Sequence, residues 1–293
     1  MKVNEIYILE DRGILYIQGP DSEEFLQNII TNDVKKITDK KSCFASILTP
    51  QGKYLYDFII SKHKKGFFID CEKNQIESLF KQLKLYKLRS KVEILNLSNE
   101  FVIAALTLEK FKSIENISDS PGFTIKFRED PIVLDPRNIK LGARLIINLE
   151  KLYLSIKKLN LNTGDINEYY KLSHKLGIPQ TNTIKLQNKI FGIECNLEAL
   201  NGIDFKKGCY VGQENTARIK LKNKLSKKLF PIKFEGIKIN SDDIITKNNK
   251  EIGKVLIDGE YPFAVFKIND INFSLDQIYE CSTSKVKIIK TEI

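Results

Sequence analysis

The hydrophobic pattern changes period along the chain, and that change limits the folds open to it. Up to about residue 120, short apolar runs of strand character alternate with stretches spaced as helices. CFASILT and KYLYDFIIS, joined by Pro50-Gln51-Gly52, read as a hairpin, and KKGFFIDC follows as a third strand. Asp21, with Glu24 three residues on, predicts a capped helix carrying Phe25, Leu26, Ile29 and Ile30; Asn74 with Glu77 predicts another around Ile76, Leu79, Phe80 and Leu83. VEILNL and FVIAAL return to strand character, and IVLDPR and ARLIIN read as strands about a turn. Thr163-Gly164-Asp165 opens a further helix that Gly177 and Pro179 close. Beyond about residue 225 only strands remain: LFPIKF, KEIGKVLID, YPFAVFKI and KVKIIKT. The expected class is therefore α+β over residues 1–224, then a small β-barrel or sandwich over 225–293.

Composition narrows the function classes. The net charge of +10 invites a nucleic-acid reading, but only six of the 47 basic residues are Arg, and the lysines are spread along the whole chain. Such a surplus reads as compositional drift, with weak affinity for tRNA or another polyanion as a by-product. No run approaches the roughly 18–20 apolar residues that span a bilayer. MKVNEIYILEDRG has neither a continuous apolar h-region nor the Arg-rich, acid-poor character of an organellar leader. The expectation is a cytoplasmic protein with no membrane partner. The five cysteines are odd in number and form no CxxC pair, which argues against a disulfide framework or a metal site held by this chain alone. GxGxxG, Walker and HExxH patterns are missing too.

The densest chemical signal is KGCYVGQE, residues 207–214. Its cysteine, Cys209, lies between Gly208 and Gly212, so the backbone can turn sharply and leave the sulfur accessible. Lys206, Lys207, Arg218, Lys220, Lys222, Lys224, Lys227 and Lys228 surround it in sequence, against Glu214 alone. Cationic neighbours favour thiolate over thiol, which suits nucleophilic, redox or metal-ligand work, although a tight turn with a packed cysteine gives the same spacing. A second signal is Asp57, a carboxylate inside the otherwise apolar YLYDFII. Buried there, it needs a partner; the alternative is a side chain turned to solvent by strand alternation.

KGCYVGQE resembles the signature of the YgfZ-type folate-binding proteins, relatives of the T-protein (aminomethyltransferase) of glycine cleavage. FLQNIITNDV (25–34), TPQGKYLYDFII (49–60), DPR (135–137), LGAR (141–144) and LGIP (176–179) agree in order. The resemblance implies a three-lobed aminomethyltransferase-like fold around a central hole, with tetrahydrofolate bound there. It implies a role in assembling or repairing iron–sulfur clusters, notably the 4Fe–4S centres of tRNA-modifying radical enzymes. Cys209 falls on the family's functional cysteine and Asp57 on the T-protein's folate-activating aspartate. Asn32, Lys207, Tyr210, Gln213, Glu214 and Arg218 are the further candidates for holding the cofactor, with Asn32 equally readable as a helix-ending residue. A glycine-cleavage aminomethyltransferase and a tRNA-binding accessory protein are the other readings.

Overall fold

Strand-forming runs dominate the computed structural model, which describes residues 1–115 and 118–292. In chain order the elements are β1 (Glu5–Ile8), β2 (Arg12–Gln18), α1 (Ser22–Ile29), β3 (Cys43–Leu48), β4 (Tyr54–His63), β5 (Gly66–Glu72) and α2 (Ile76–Lys87). Then come β6 (Glu93–Asn96), β7 (Phe101–Leu106), α3 (Leu108–Ile114), β8 (Thr124–Phe127), β9 (Asp130–Leu134), β10 (Ala143–Asn148), α4 (Leu149–Lys158), β11 (Asn162–Thr163) and α5 (Ile166–Lys175). Helix α6 (Gln213–Leu221) precedes the last strands: β12 (Lys227–Glu235), β13 (Ile244–Lys247), β14 (Lys250–Ile257), β15 (Phe263–Lys267), β16 (Ile278–Cys281) and β17 (Ser284–Ile288). The chain divides into two compact units that interleave in sequence. Met1–Ile47, Tyr56–Tyr169 and Glu198–Val211 form the first; Leu48–Leu55, Tyr170–Leu197 and the chain from Gly212 onward form the second. Among the described residues no helix is long and apolar enough to cross a membrane.

The first unit is built on two sheets, ordered β3-β4-β5-β2-β6 and β11-β1-β7-β10-β9-β8. Each has two differently used faces, as strand alternation requires. In the five-stranded sheet, Gly13 lies beneath α2, where an added Cβ would meet Ile76 at 2.6 Å. The neighbouring face turns Tyr16, Phe68 and His63 toward Phe101 of the six-stranded sheet, with Phe68 and Phe101 ring centroids 4.9 Å apart. The outer face of that second sheet carries Ala104, Leu106, Leu145 and Ile147 against residues of α3 and α4. The layers therefore run helix, sheet, sheet, helix. In the second unit, β12-β15-β14-β13-β16-β17 close into a barrel around Phe230, Ile232, Val255, Phe266 and Tyr279. The α+β class with a closed C-terminal barrel is thus what the chain adopts.

Two foreseen helix starts differ in their chemistry. Asp21 occupies the N-cap of α1, but its carboxylate accepts from the Lys91 amide at 2.6 Å instead of from the helix. Asn74 sits in a 3₁₀ turn and donates to Glu72, so α2 begins at Ile76 with no side-chain cap. Asp165 does accept from the Asn167 amide at 3.0 Å, and α5 ends where Gly177 takes φ +75°. Helices α3 and α4, which apolar spacing did not reveal, are capped by Thr107 and Asn148.

Charges, not only hydrocarbon, join the two sheets. Arg12 Nε donates to Asp70 Oδ1 at 2.7 Å, and Arg144 donates to the other carboxylate oxygen. Arg144 Nη2 also donates to the Tyr169 hydroxyl at 2.9 Å, and its Nε lies 3.8 Å from Asp135. Arg137 binds both oxygens of Asp135, at 3.0 and 2.7 Å. All five ionic side chains are buried. Burial opposes ionisation of Asp70, yet Arg12 and Arg144 outweigh it and hold the carboxyl below its usual range. Asp135 is held low in the same way by Arg137 and Arg144.

Breaking a buried pair leaves an uncompensated charge, so Asp70→Asn should cost about 3–5 kcal/mol in denaturant unfolding. Acid should act earlier, through His63. Burial, reinforced by Lys64, pushes that imidazole down from 6.5 to about 4. The unfolded chain then binds the proton first, and stability falls as pH drops from about 6.5 toward 4. The depressed Asp70 and Asp135 add their loss only below the ordinary carboxylate range. His63→Phe should flatten the upper part of a stability–pH curve measured by urea midpoints.

Candidate functional site

The loop carrying Cys209 is fixed to the end of α1. Helix C-termini leave carbonyls without partners, and here one ammonium takes them. Lys207 Nζ donates to Gln27 O and Ile30 O at 2.7 Å and to Asn32 O at 2.9 Å. Those bonds use every donor that the group has. Its charge also lies 5.0 Å from the centre of the buried Tyr210 ring. Burial pushes this ammonium down to about 8, while Asp33 favours its charged form. Around it the backbone is laced: Asp204 N donates to Thr31 O at 3.1 Å, and Val211 N to Asn28 O at 3.2 Å. Thr31 Oγ1 donates to Gly202 O at 2.6 Å, and Asn32 Nδ2 to Phe44 O and Asn201 O.

Two residues past this anchor, Cys209 is exposed, whereas Cys71, Cys195 and Cys281 are buried and Cys43 is half-buried. Nothing lies within 4 Å of where a Gly208 Cβ would be. The turn that follows does depend on glycine: Gly212 takes φ +84°, and a Cβ there would meet Thr49 O at 2.3 Å. Gly52 of the Pro50-Gln51-Gly52 turn lies against it, so the two glycines allow a close approach of backbones. From Gly212 the chain enters α6. Gln213 and Glu214 open that helix, and Arg218, further along it, donates to Asn215.

Asn32, Lys207, Tyr210 and Cys209 are thus brought together in the first unit, and Gln213, Glu214 and Arg218 lie in the second. The polar groups of Asn32 and Lys207 are spent on backbone. Asp57 stands elsewhere in the first unit, half-buried between the buried Tyr56 and Phe58 of β4. Ile59 pairs with Asp70, so alternation puts Asp57 on the Asp70 face of the sheet. Burial disfavours the Arg12 guanidinium, but Asp70 holds it charged, with Asp57 the smallest of the contributions that favour it.

A cleft of about 460 Å³ opens beside the anchored loop, with Asn32, Lys36, Cys43, Pro136, Asp204 and Lys206 in its wall. Lys36 is paired with Asp204 across it. Burial pushes the Cys43 thiol up to about 12 despite the pull of Lys207, so it stays protonated. Cys209 is not a wall residue of this cleft. Sequence reasoning missed Cys43 and the buried Arg–Asp network; the latter was signalled by Asp70 and Arg144 lying inside apolar strands. Among the described residues no group of His, Cys, Asp and Glu is placed to hold a metal ion.

Residues 10–107 match the GCVT N-terminal domain family. The fold is that of an aminomethyltransferase: the glycine cleavage system aminomethyltransferase T from Bartonella henselae superposes with a TM-score of 0.75, over 98% of this chain and 85% of that one, at 12% identity. By sequence the chain is similar to iron–sulfur cluster assembly factors named IBA57. The Mus musculus protein is 30% identical, over 78% of this chain and 66% of its own length. The Dictyostelium discoideum homologue is 28% identical, over 76% of this chain and 61% of its own length. The chain thus spans somewhat under two thirds of these curated relatives. Both are designated mitochondrial, and this overturns the expectation of a cytoplasmic protein.

Replacing Lys207 by Met should strand three carbonyls, at about 1–3 kcal/mol for a buried acceptor left unsatisfied. Amide exchange of residues 204–211 should speed up in the variant. Lys207→Arg should not restore protection, because a planar guanidinium cannot reach three carbonyls spread around a point charge.

Proposed function

We propose that this protein binds tetrahydrofolate and supports assembly or repair of iron–sulfur clusters through the Cys209 thiol. The observation that carries the reading is the pairing of an exposed cysteine with a rigid mount. Lys207 immobilises the loop at one residue, and the sulfur two residues on stays open. A held thiol can ligate an iron of a cluster or exchange with another thiol. Clusters take four ligands, so one cysteine acts with ligands from a partner protein or a small thiol. The cluster is therefore cargo, and the partners are assembly or client proteins, tRNA-modifying radical enzymes among them. The names of the relatives support this class of work.

Asp57 fits a reduced pterin by its chemistry. A half-buried carboxylate offers acceptor oxygens that match the N–H edge of such a ring. When bound, tetrahydrofolate supplies a one-carbon carrier; what this chain supplies is an acceptor that orients it. An aminomethyltransferase reading draws on the same Asp57 and on the shared fold. Methylene transfer from an aminomethyl carrier to tetrahydrofolate separates the two, and none is expected.

Calorimetric titration with tetrahydrofolate should show binding that Asp57→Ala weakens at least about tenfold, a loss of about 1.4 kcal/mol. Cys209→Ser should bind the folate as wild type does, yet fail to restore cluster-dependent enzymes in cells lacking the gene. Full rescue by Cys209→Ser would remove Cys209 from the mechanism.

A further inference from the structure

The second unit carries an arrangement of charge that folding alone does not favour. Lys233 of β12 and Lys287 of β17 are directly opposite one another in antiparallel register. Like charges in that position repel. Lys171 and Lys175 stand one turn apart on the second half of α5, and like charges at that spacing repel as well. Both pairs, four lysines in all, line a single cleft of about 500 Å³. No side chain of the four makes an ion pair or hydrogen bond among the described residues. Lys290 completes the cationic wall, and its partner Asp276, at 2.6 Å, is the one acid there.

The rest of the lining is selective. Leu275, Ile288 and Ile289 supply an apolar portion. His174 is buried, with its Nε2 at 2.8 Å from Pro262 O. A carbonyl only accepts, so Nε2 carries the proton and Nδ1 is the ring's remaining polar atom. The ring is wedged edge-on between Tyr261 and Phe263, which fixes its orientation.

We propose that this cleft binds a small molecule carrying two or more phosphates on an apolar body of nucleotide size. Convergent lysines act as point charges that suit phosphate oxygens. Occupation would convert two repulsive pairs into attractive contacts. The cleft volume falls within the range of small-ligand sites. A nucleic-acid strand would call for a broad basic face with aromatic or arginine stacking partners, and no arginine lines this cleft. The cleft belongs to the second unit, whereas Cys209 and Asp57 belong to the first.

The protein's two histidines provide a direct readout. Titrating the full chain with pyrophosphate and then ADP, followed by imidazole NMR, should shift His174 saturably and leave His63 unmoved. ADP should bind at least about tenfold more tightly than pyrophosphate, since its body uses the apolar wall. Lys233→Glu replaces a repulsive cross-strand pair with an attractive one. It should raise the melting temperature of the free protein while weakening ADP binding at least tenfold. Lys171→Ala with Lys175→Ala, two exposed positions that leave the barrel intact, should also weaken binding. The proposal is overturned if neither ligand moves His174, or if Lys233→Glu binds ADP as tightly as wild type. It also fails if a single-stranded RNA oligonucleotide shifts His174 while pyrophosphate and ADP do not.

Discussion

Asp70 touches two arginines that arrive from different sheets, and the first unit is organised around that meeting. Arg12 comes from β2 of its own sheet and Arg144 from β10 of the facing one. Hydrophobic burial would hold two sheets together in many registers, because it is not directional. A buried carboxylate that must satisfy two guanidiniums accepts few. Asp135, Arg137 and Tyr169 extend the same requirement into the loop after β9 and into α5. The network thus sets how the inner faces align, and Asp57, whose charge reaches Arg12, sits at its half-exposed margin. Structure and candidate chemistry share one electrostatic frame.

A parallel economy governs the cysteine loop. Lys207 ends a helix, anchors the segment before Cys209 and packs over Tyr210 with a single ammonium. A reactive thiol needs to be reachable yet held in place; exposure and rigidity conflict unless the anchor and the reactive atom are different residues. Here they are neighbours in sequence. The thiol is left outside while the charge beside it goes in. Gly212 then lets the backbone pass against Gly52, and α6 begins at once.

Much of this could be read from the chain itself. The barrel followed from strand runs with no helical spacing after about residue 225, and the KGCYVGQE and YLYDFII segments pointed to Cys209 and Asp57. Helices α3 and α4 were not among the elements read from the chain; the capping chemistry of Thr107 and Asn148 is the local signal that could have found them. Asp21 shows the limit: a residue of the right type in the right place gave its carboxylate to Lys91, seventy positions on. Competition for a hydrogen bond is decided by distant backbone, and no local pattern contains it.

The sequence by itself determined most of the strands, the class of the fold and the place of the glycine-flanked cysteine, because periodicity and turn chemistry act within a few residues. Only the tertiary structure decided which way Lys207 points. Beside a cysteine in sequence it reads as an activating cation; in three dimensions its charge is committed to carbonyls of a segment some 175–180 positions earlier. The pairing of Asp70 with Arg144 and the convergence of Lys171, Lys175, Lys233 and Lys287 were settled in the same way. Electrostatic partners are chosen by proximity in space, and chain separation carries no trace of it.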